Sequence, residues 1–344
     1  MTLKQAFEDQ AGHCVGMGSP FMGQLMNVLA RDWPTDSTLG QKFASVTGDV
    51  GPMGASLPLR IAGGLHALVL NRKSPELAKV YPPNSASDAE LSAAVLDALT
   101  AHETFLMAWT DHAPQTNEVR RSAALIAGAR VAVKHFNLPI HLSELGASGG
   151  LNLMWDHFAL EIDGHHLGPN MSTILLSPDW TGPLPPSVQP QIEKRRGVDL
   201  NPLDPTRPDH LMRLMAYLWA DQPHRLSLTR SAASVLDAKV QQGDAIDWLE
   251  KQLPKQPQGC LHLIQHTVAW QYFPQDAQAR GKALIEAAGK RATPNRPLAW
   301  LSMENDGANT KGAALTLRLW PGDITLNLGR ADFHGRWIDW QYTG

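Results

Sequence analysis

The sequence predicts an α/β protein: a doubly wound, mostly parallel sheet closed by an antiparallel strand pair, preceded by a helical domain. Three observations carry this. Residues 1–135 show helical patterning and no strand series. From residue 139 onward, short apolar runs alternate with helical segments, the pattern of a parallel sheet with helices on both faces. The last stretch, AALTLRLWPGDITLNLGRADFHGRWIDWQ (313–341), has strand alternation on both sides of a Pro-Gly-Asp turn and no helix.

In the first part, Ser87-Asp88-Ala89-Glu90 is a capping box, in which a hydroxyl and a carboxylate satisfy the free amides of a helix start. Leu91, Val95, Leu99, Leu106 and Trp109 then recur at helical spacing as a core-facing stripe. RRSAALIAGARVAVKHF (120–136) reads as another helix, and Gly and Pro mark 47–60 and 81–88 as loops. The expected division is a helical domain over 1–135 and a sheet domain over 136–344.

In the second part, strands are expected at 139–145, 197–200, 239–243, 260–265 and 297–303. Helices are expected at 150–157, near 209–219, at 225–238 and at 275–289. Phe158, Leu160 and Ile162 alternate with polar residues ahead of Asp163-Gly164, a hairpin strand with its turn. Residues 158–190 therefore read as an insertion, ending in a Pro-rich loop at 178–190.

Composition narrows the function classes. The 344 residues are 43% apolar and 18% charged, enough for an ordinary buried core. A net charge of −3 gives no electrostatic case for nucleic acid or an anionic membrane, and Lys194-Arg195-Arg196 is too short to change that. No run approaches the ~18 apolar residues of a membrane span. Two distant cysteines, Cys14 and Cys260, build neither a disulfide framework nor a Cys-rich zinc site, so no metal is expected. MTLKQAFEDQAGH is no signal peptide, and a cytoplasmic setting is the expectation. Oligomeric state is not encoded in any pattern here.

The chemistry concentrates in ELGASGG, residues 144–150. Gly146-Ala147-Ser148-Gly149-Gly150 fits the G-x-S-x-G elbow of a hydrolase, and Ser148, Asp306 and His334 meet the required chain order. The elbow lacks the strands and the oxyanion-hole loop that should precede it. A dinucleotide fingerprint would need glycine at Ser148, and no Walker lysine follows. A third reading explains more. The small residues Gly146, Ala147, Ser148, Gly149 and Gly150 let backbone approach a ligand, and the next helix aims its free amides at it. Glu144 would accept from a cationic amino group, Asp199 from two ribose hydroxyls, and Asp244 from an adenine amino group. All three acids end strands of one parallel sheet, where such folds bind ligands.

The order ELGASGG, GVDLNP, GDA and a helix-free end resembles a class I S-adenosylmethionine-dependent methyltransferase over residues 139–344. QTNEVRRSAAL, ELGASGGLNL and RRGVDLNPLD together are similar to a bacterial family of unknown function placed among methyltransferase-like folds, over nearly the whole chain. The resemblance implies a Rossmann-like sheet, S-adenosylmethionine as cofactor and a small-molecule methyl acceptor. Three departures stand out. Ser148 stands where many methyltransferases have glycine, at little cost because serine is small. Asp199 lies about 50 residues beyond the loop, whereas the ribose acid of dinucleotide folds lies ~20 beyond; Asp163, better spaced, is the alternative. The fourth strand ends in Gln265-His266-Thr267, without an Asn-Pro-Pro-Tyr type of motif.

If the acceptor needs deprotonation, His266 or Glu118 would be the base; the plainer reading of His262 and His266, in an apolar run, is core histidines. Gln115, Asn117, Glu118 and Arg121, with Asn152 after the loop, are expected to bring the helical domain over the cleft as a lid. The plainer reading there is a cap for the helix at 120–136. The alternative function is a binding protein that keeps the fold without catalysis.

Overall fold

The computed structural model describes residues 1–51 and 54–344. The chain forms two compact units: Met1–Thr116 with Arg207–Ser227, and Asn117–Thr206 with Leu228–Gly344. The predicted boundary at 135 is thus displaced. The segment 207–227 returns to the helical unit, and the helix at 120–136 belongs to the sheet unit.

Among the described residues seven α-helices open the chain: α1 (Leu3–Gly16), α2 (Pro20–Asp32), α3 (Thr38–Ala44), α4 (Leu57–Leu70), α5 (Pro75–Val80), α6 (Asp88–Ala101) and α7 (Glu103–Trp109). The capping box forms at Ser87 and Glu90. Leu91, Val95, Leu99, Leu106 and Trp109 are all buried, on two helices that break at His102. The loop expected through residue 60 gives way to α4 at Leu57; Pro52 and Met53 lie outside the described residues. Pro58 sits in the first turn of α4, where a missing N–H is harmless. Gly63 and Gly64 are packing sites: a Cβ would come within 2.5 Å of the Tyr217 ring or 2.7 Å of Leu106.

The sheet unit begins with α8 (Ser122–Phe136) and continues through twelve strands. These are β1 (Ile140–Leu145), β2 (Ala159–Ile162), β3 (His165–Leu167), β4 (Leu175–Leu176), β5 (Asp179–Thr181), β6 (Ile192–Asp199), β7 (Val240–Gln242), β8 (Leu261–Thr267), β9 (Leu298–Glu304), β10 (Ala313–Trp320), β11 (Ile324–Ala331) and β12 (Trp337–Trp340). Among the described residues no strand precedes β1. The later helices are α9 (Pro208–Ala216), α10 (Pro223–Ser234), α11 (Ala245–Gln252) and α12 (Gln275–Gly289).

Nine strands make one sheet in the order β5-β12-β11-β10-β9-β8-β1-β6-β7. The run from β7 to β9 is parallel, and β9 to β12 are antiparallel neighbours. The chain steps from β1 outward to β6 and β7, then returns past β1 to β8. That reversal is the topological switch point of the sheet. The chain's end is a three-strand meander rather than the expected pair, and the Pro-rich stretch supplies an edge strand, β5, parallel to β12. β2, β3 and β4 form a separate small sheet, and its hairpin turns at Asp163 and Gly164, with φ of 48° and 79°.

Alternation sorts the parallel strands onto two cores. Leu142, Leu263 and Leu301 face α8, whose Gly128 lies so close to β9 that a Cβ would meet Leu301 at 2.5 Å. Leu145, Ile264 and Leu298 face the other way, against Trp248 and Leu249 of α11 and Ile285 of α12. Both faces are therefore covered, as a buried parallel sheet requires. Among the described residues no helix is long and apolar enough to cross a membrane.

Candidate functional site

β1 delivers Glu144 to the switch point, paired with Gly197 of β6 on one side and Gln265 of β8 on the other. The loop beyond it turns through left-handed residues at Gly146, Ser148 and Gly150 (φ 70°, 52° and 77°). Glycine at 146 has a second cause: a Cβ there would lie 2.5 Å from the Ala269 methyl. Gly197 likewise admits the Ala147 methyl, which a Cβ would meet at 2.7 Å.

The loop amides are engaged more fully than the sequence implied. Gly146 and Ala147 both donate to the Val198 carbonyl at 3.0 Å, and Gly150 donates to Ala147 at 2.8 Å. Ser148 donates to Asp199 Oδ2, and Leu151 to Asn117 Oδ1, each at 2.9 Å. The segment after the loop is a 3-10 helix, Leu151–His157, rather than an α-helix. So short a 3-10 turn brings little of the dipole expected to face a ligand. Gly149 is buried within this loop.

Glu144 is 2% exposed, and its Oε2 has no hydrogen-bond partner. Burial pushes its carboxyl up to about 8, and nearby Asp199 adds to the rise. The Gln265 side chain and the Arg121 charge pull the other way. Asp199, half-buried at the end of β6, holds the Ser148 amide with Oδ2 and the Asn201 amide with Oδ1, both at 2.9 Å. Asp244, exposed just beyond β7, caps α11 by accepting from Ile246 and Asp247, each at 2.9 Å. The three acids lie at or just beyond the carboxyl ends of three adjacent strands. Asp163 does not join them: it is exposed at the hairpin turn of the small sheet.

The expected bases have other work. His266 is 1% exposed. Its Nε2 accepts from Trp300 Nε1 at 2.8 Å, and its Nδ1 meets Glu304 Oε1 at 2.7 Å. Indole is a donor only, so the ring proton sits on Nδ1 and no nitrogen lone pair is left for a substrate. Glu118 accepts from the Arg120 amide and guanidinium, each at 3.2 Å. Its carboxylate is thus a cap and an ion-pair partner at the entry to α8.

The expected lid also takes a different form. Asn117, Glu118, Arg121 and Asn152 all belong to the sheet unit, and Gln115 to the helical one. Asn152 accepts from Ser122 Oγ at 2.9 Å and donates to the Glu118 carbonyl at 3.3 Å. Arg121 donates to the carbonyls of Phe333 at 2.8 Å and Thr267 at 3.3 Å. These residues fasten the start of α8 to the glycine loop and to the end of β8, which explains why QTNE and ELGASGGLNL occur together. The hydrolase arrangement is not assembled. Ser148 Oγ is buried without a hydrogen bond, Asp306 is paired with Arg330 at 2.9 and 3.1 Å, and His334 lies in the turn at Asp332.

Sequence reasoning missed Glu304 and the loop it organises. Besides His266, its carboxylate accepts the amides of Ala269, Trp270 and Gln271 at 3.0–3.3 Å. Burial opposes its charge, but these partners hold it below the usual range. Trp270 stacks on His266 at 5.0 Å, and Val268 between them has φ 51°, a strained position for a β-branched residue. The signal was available: Glu304 ends the fifth parallel strand, as Asp199 ends β6 and Glu144 comes one residue before the end of β1.

Comparison with curated proteins gave no match, and comparison with solved structures gave none. A family model described as "Uncharacterized protein conserved in bacteria (DUF2332)" matches residues 4–340, both units together. The chain belongs to this bacterial family.

Proposed function

We propose that the protein binds S-adenosylmethionine at the carboxyl ends of β1, β6 and β7 and transfers its methyl group to a small molecule. The observation that carries this is the orphaned Oε2 of Glu144. A buried carboxyl oxygen without a partner is costly, and a cationic guest would offset that cost. The parallel strands, numbered by their own succession, run 3-2-1-4-5 with the switch point beside Glu144, as in doubly wound dinucleotide-binding sheets. In this reading Glu144 takes the cofactor's ammonium group. Asp199, at the carboxyl end of β6, takes the ribose hydroxyls. Asp244 takes the adenine amino group. The cofactor would supply an electrophilic methyl group. The chain's own residues would orient the acceptor and exclude water, a contribution of proximity rather than of acid–base chemistry.

A second reading, binding without turnover, is favoured by the engagement of both His266 and Glu118. An acceptor that arrives already nucleophilic needs no base, so the two readings part on assay. A thermal-shift titration with S-adenosylmethionine and S-adenosylhomocysteine tests the shared pocket. Saturation near 100 Kd corresponds to about 2.7 kcal/mol of added stability. Methyl transfer from labelled cofactor to a panel of amines, thiols and hydroxyls then separates enzyme from binder. No shift with either compound at saturating concentration overturns both readings.

A further inference from the structure

The opposite ends of the same strands carry a second cluster. His141 is the second residue of β1, Glu193 the second residue of β6, and Cys260 directly precedes β8. Register brings them together, because Ile140 pairs with both Ile192 and Leu261. Cys260 Sγ lies 3.2 Å from Glu193 Oε2, and His141 Nε2 lies 3.4 Å from the same oxygen. All three donor atoms fall within 4.8 Å of one another.

From this geometry we infer a site for one zinc-class divalent cation at the amino edge of the sheet, held by His141, Glu193 and Cys260 with water as fourth ligand. Zinc bonds of about 2.0–2.3 Å in a tetrahedron put donor atoms about 3.3–3.8 Å apart; both contacts to Glu193 lie near that range already, and Cys260 and His141, within 4.8 Å of each other, need to close by at most about 1.5 Å. One sulfur, one imidazole nitrogen and one carboxylate oxygen select zinc or its neighbours over calcium and magnesium, which take oxygen ligands. A thiolate and a carboxylate together cancel the charge of a divalent cation. The thiol proton leaves to solvent as the metal–sulfur bond forms. Cys260 is buried, whereas the Glu193 side chain is 53% exposed, so water and metal enter from the Glu193 side. Bound there, the cation would tie together the starts of three neighbouring strands, all on rigid elements. The inference does not rest on the cofactor proposal, because it concerns the other edge of the sheet.

The test uses the full-length protein stripped with a chelator and titrated with Co2+ and then Zn2+. The expected result is a single equivalent bound, with tetrahedral cobalt absorption and a thiolate-to-cobalt charge-transfer band, and a higher Tm with Zn2+. Cys260→Ser abolishes the charge-transfer band, and both it and His141→Ala weaken binding by at least about tenfold. Cys14→Ser, at the only other cysteine, leaves the band unchanged. Glu193→Gln, at a side chain 53% exposed, weakens binding too, which keeps the test open if the buried variants fail to fold. Absence of stoichiometric binding, a cobalt spectrum without the thiolate band, or equal binding by Glu193→Gln overturns the inference.

Discussion

Asp199 accepts the backbone amide of Ser148 at 2.9 Å, so the end of β6 shapes the loop that follows β1. Its other oxygen holds the Asn201 amide. The acid proposed for ribose is thus also a structural staple. Asp199→Ala leaves both amides without their acceptor, at about 1–3 kcal/mol for each that stays buried. Urea denaturation should show that loss, and a smaller one for Asp199→Asn, which keeps one acceptor oxygen. An alanine variant as stable as the wild type would remove the staple from the account.

Glu144 makes stability depend on pH in an unusual direction. Its folded-state carboxyl is raised to about 8 from the ordinary glutamate value of 4.5. Between those values the folded protein keeps a proton that the unfolded chain gives up. Stability therefore falls as pH rises through that window and levels off above it. Glu144→Gln should flatten the slope and leave the variant more stable than wild type at the alkaline end. Urea midpoints at several pH values across the window check this; parallel curves for the two proteins would contradict it.

Gly146 and Ser148 share a left-handed backbone but should respond oppositely to alanine. A Cβ at Gly146 meets the Ala269 methyl at 2.5 Å on top of a φ of 70°, and overpacking of this kind costs about 1–3 kcal/mol. Ser148→Ala deletes a buried hydroxyl that makes no hydrogen bond, a change that is neutral or stabilising. Thermal melts of the two variants check the contrast. No labelling of Ser148 by a serine-directed reagent is expected, since no histidine addresses it.

Glu304 holds the loop after β8 through His266 and three amides. Its carboxyl is held below the usual value, so its contribution is complete above the ordinary carboxylate range and is lost as pH falls below that range through its own lower value. Glu304→Gln should cost about 1–3 kcal/mol at neutral pH. It should also remove part of the acid-induced loss, read from melting curves in acid. An unchanged acid limb would mean that other carboxylates govern it.

Much of this was legible locally. α12 spans the expected 275–289, β1 begins one residue late, and the capping box at Ser87 forms as its spacing implied. These elements depend on near neighbours in sequence. What was not legible depends on distant partners. α4 hid behind Gly63 and Gly64, which exist to admit Tyr217 and Leu106. β5 is three residues in a Pro-rich stretch, made a strand only by pairing with β12. The return of 207–227 to the helical unit has no local signal. At the site, the strand-end acids could be read from position alone. That His266 is held between Trp300 and Glu304 could not, because both partners come from the next strand.

Titration calorimetry of S-adenosylmethionine into the wild type and Glu144→Gln tests the central claim most directly. The account predicts single-site binding whose affinity rises as pH rises toward about 8, because the carboxyl must ionise to meet the cation. Glu144→Gln should bind more weakly and lose that dependence. Equal affinity in both proteins, or no binding by the wild type at any pH in the range, would contradict it.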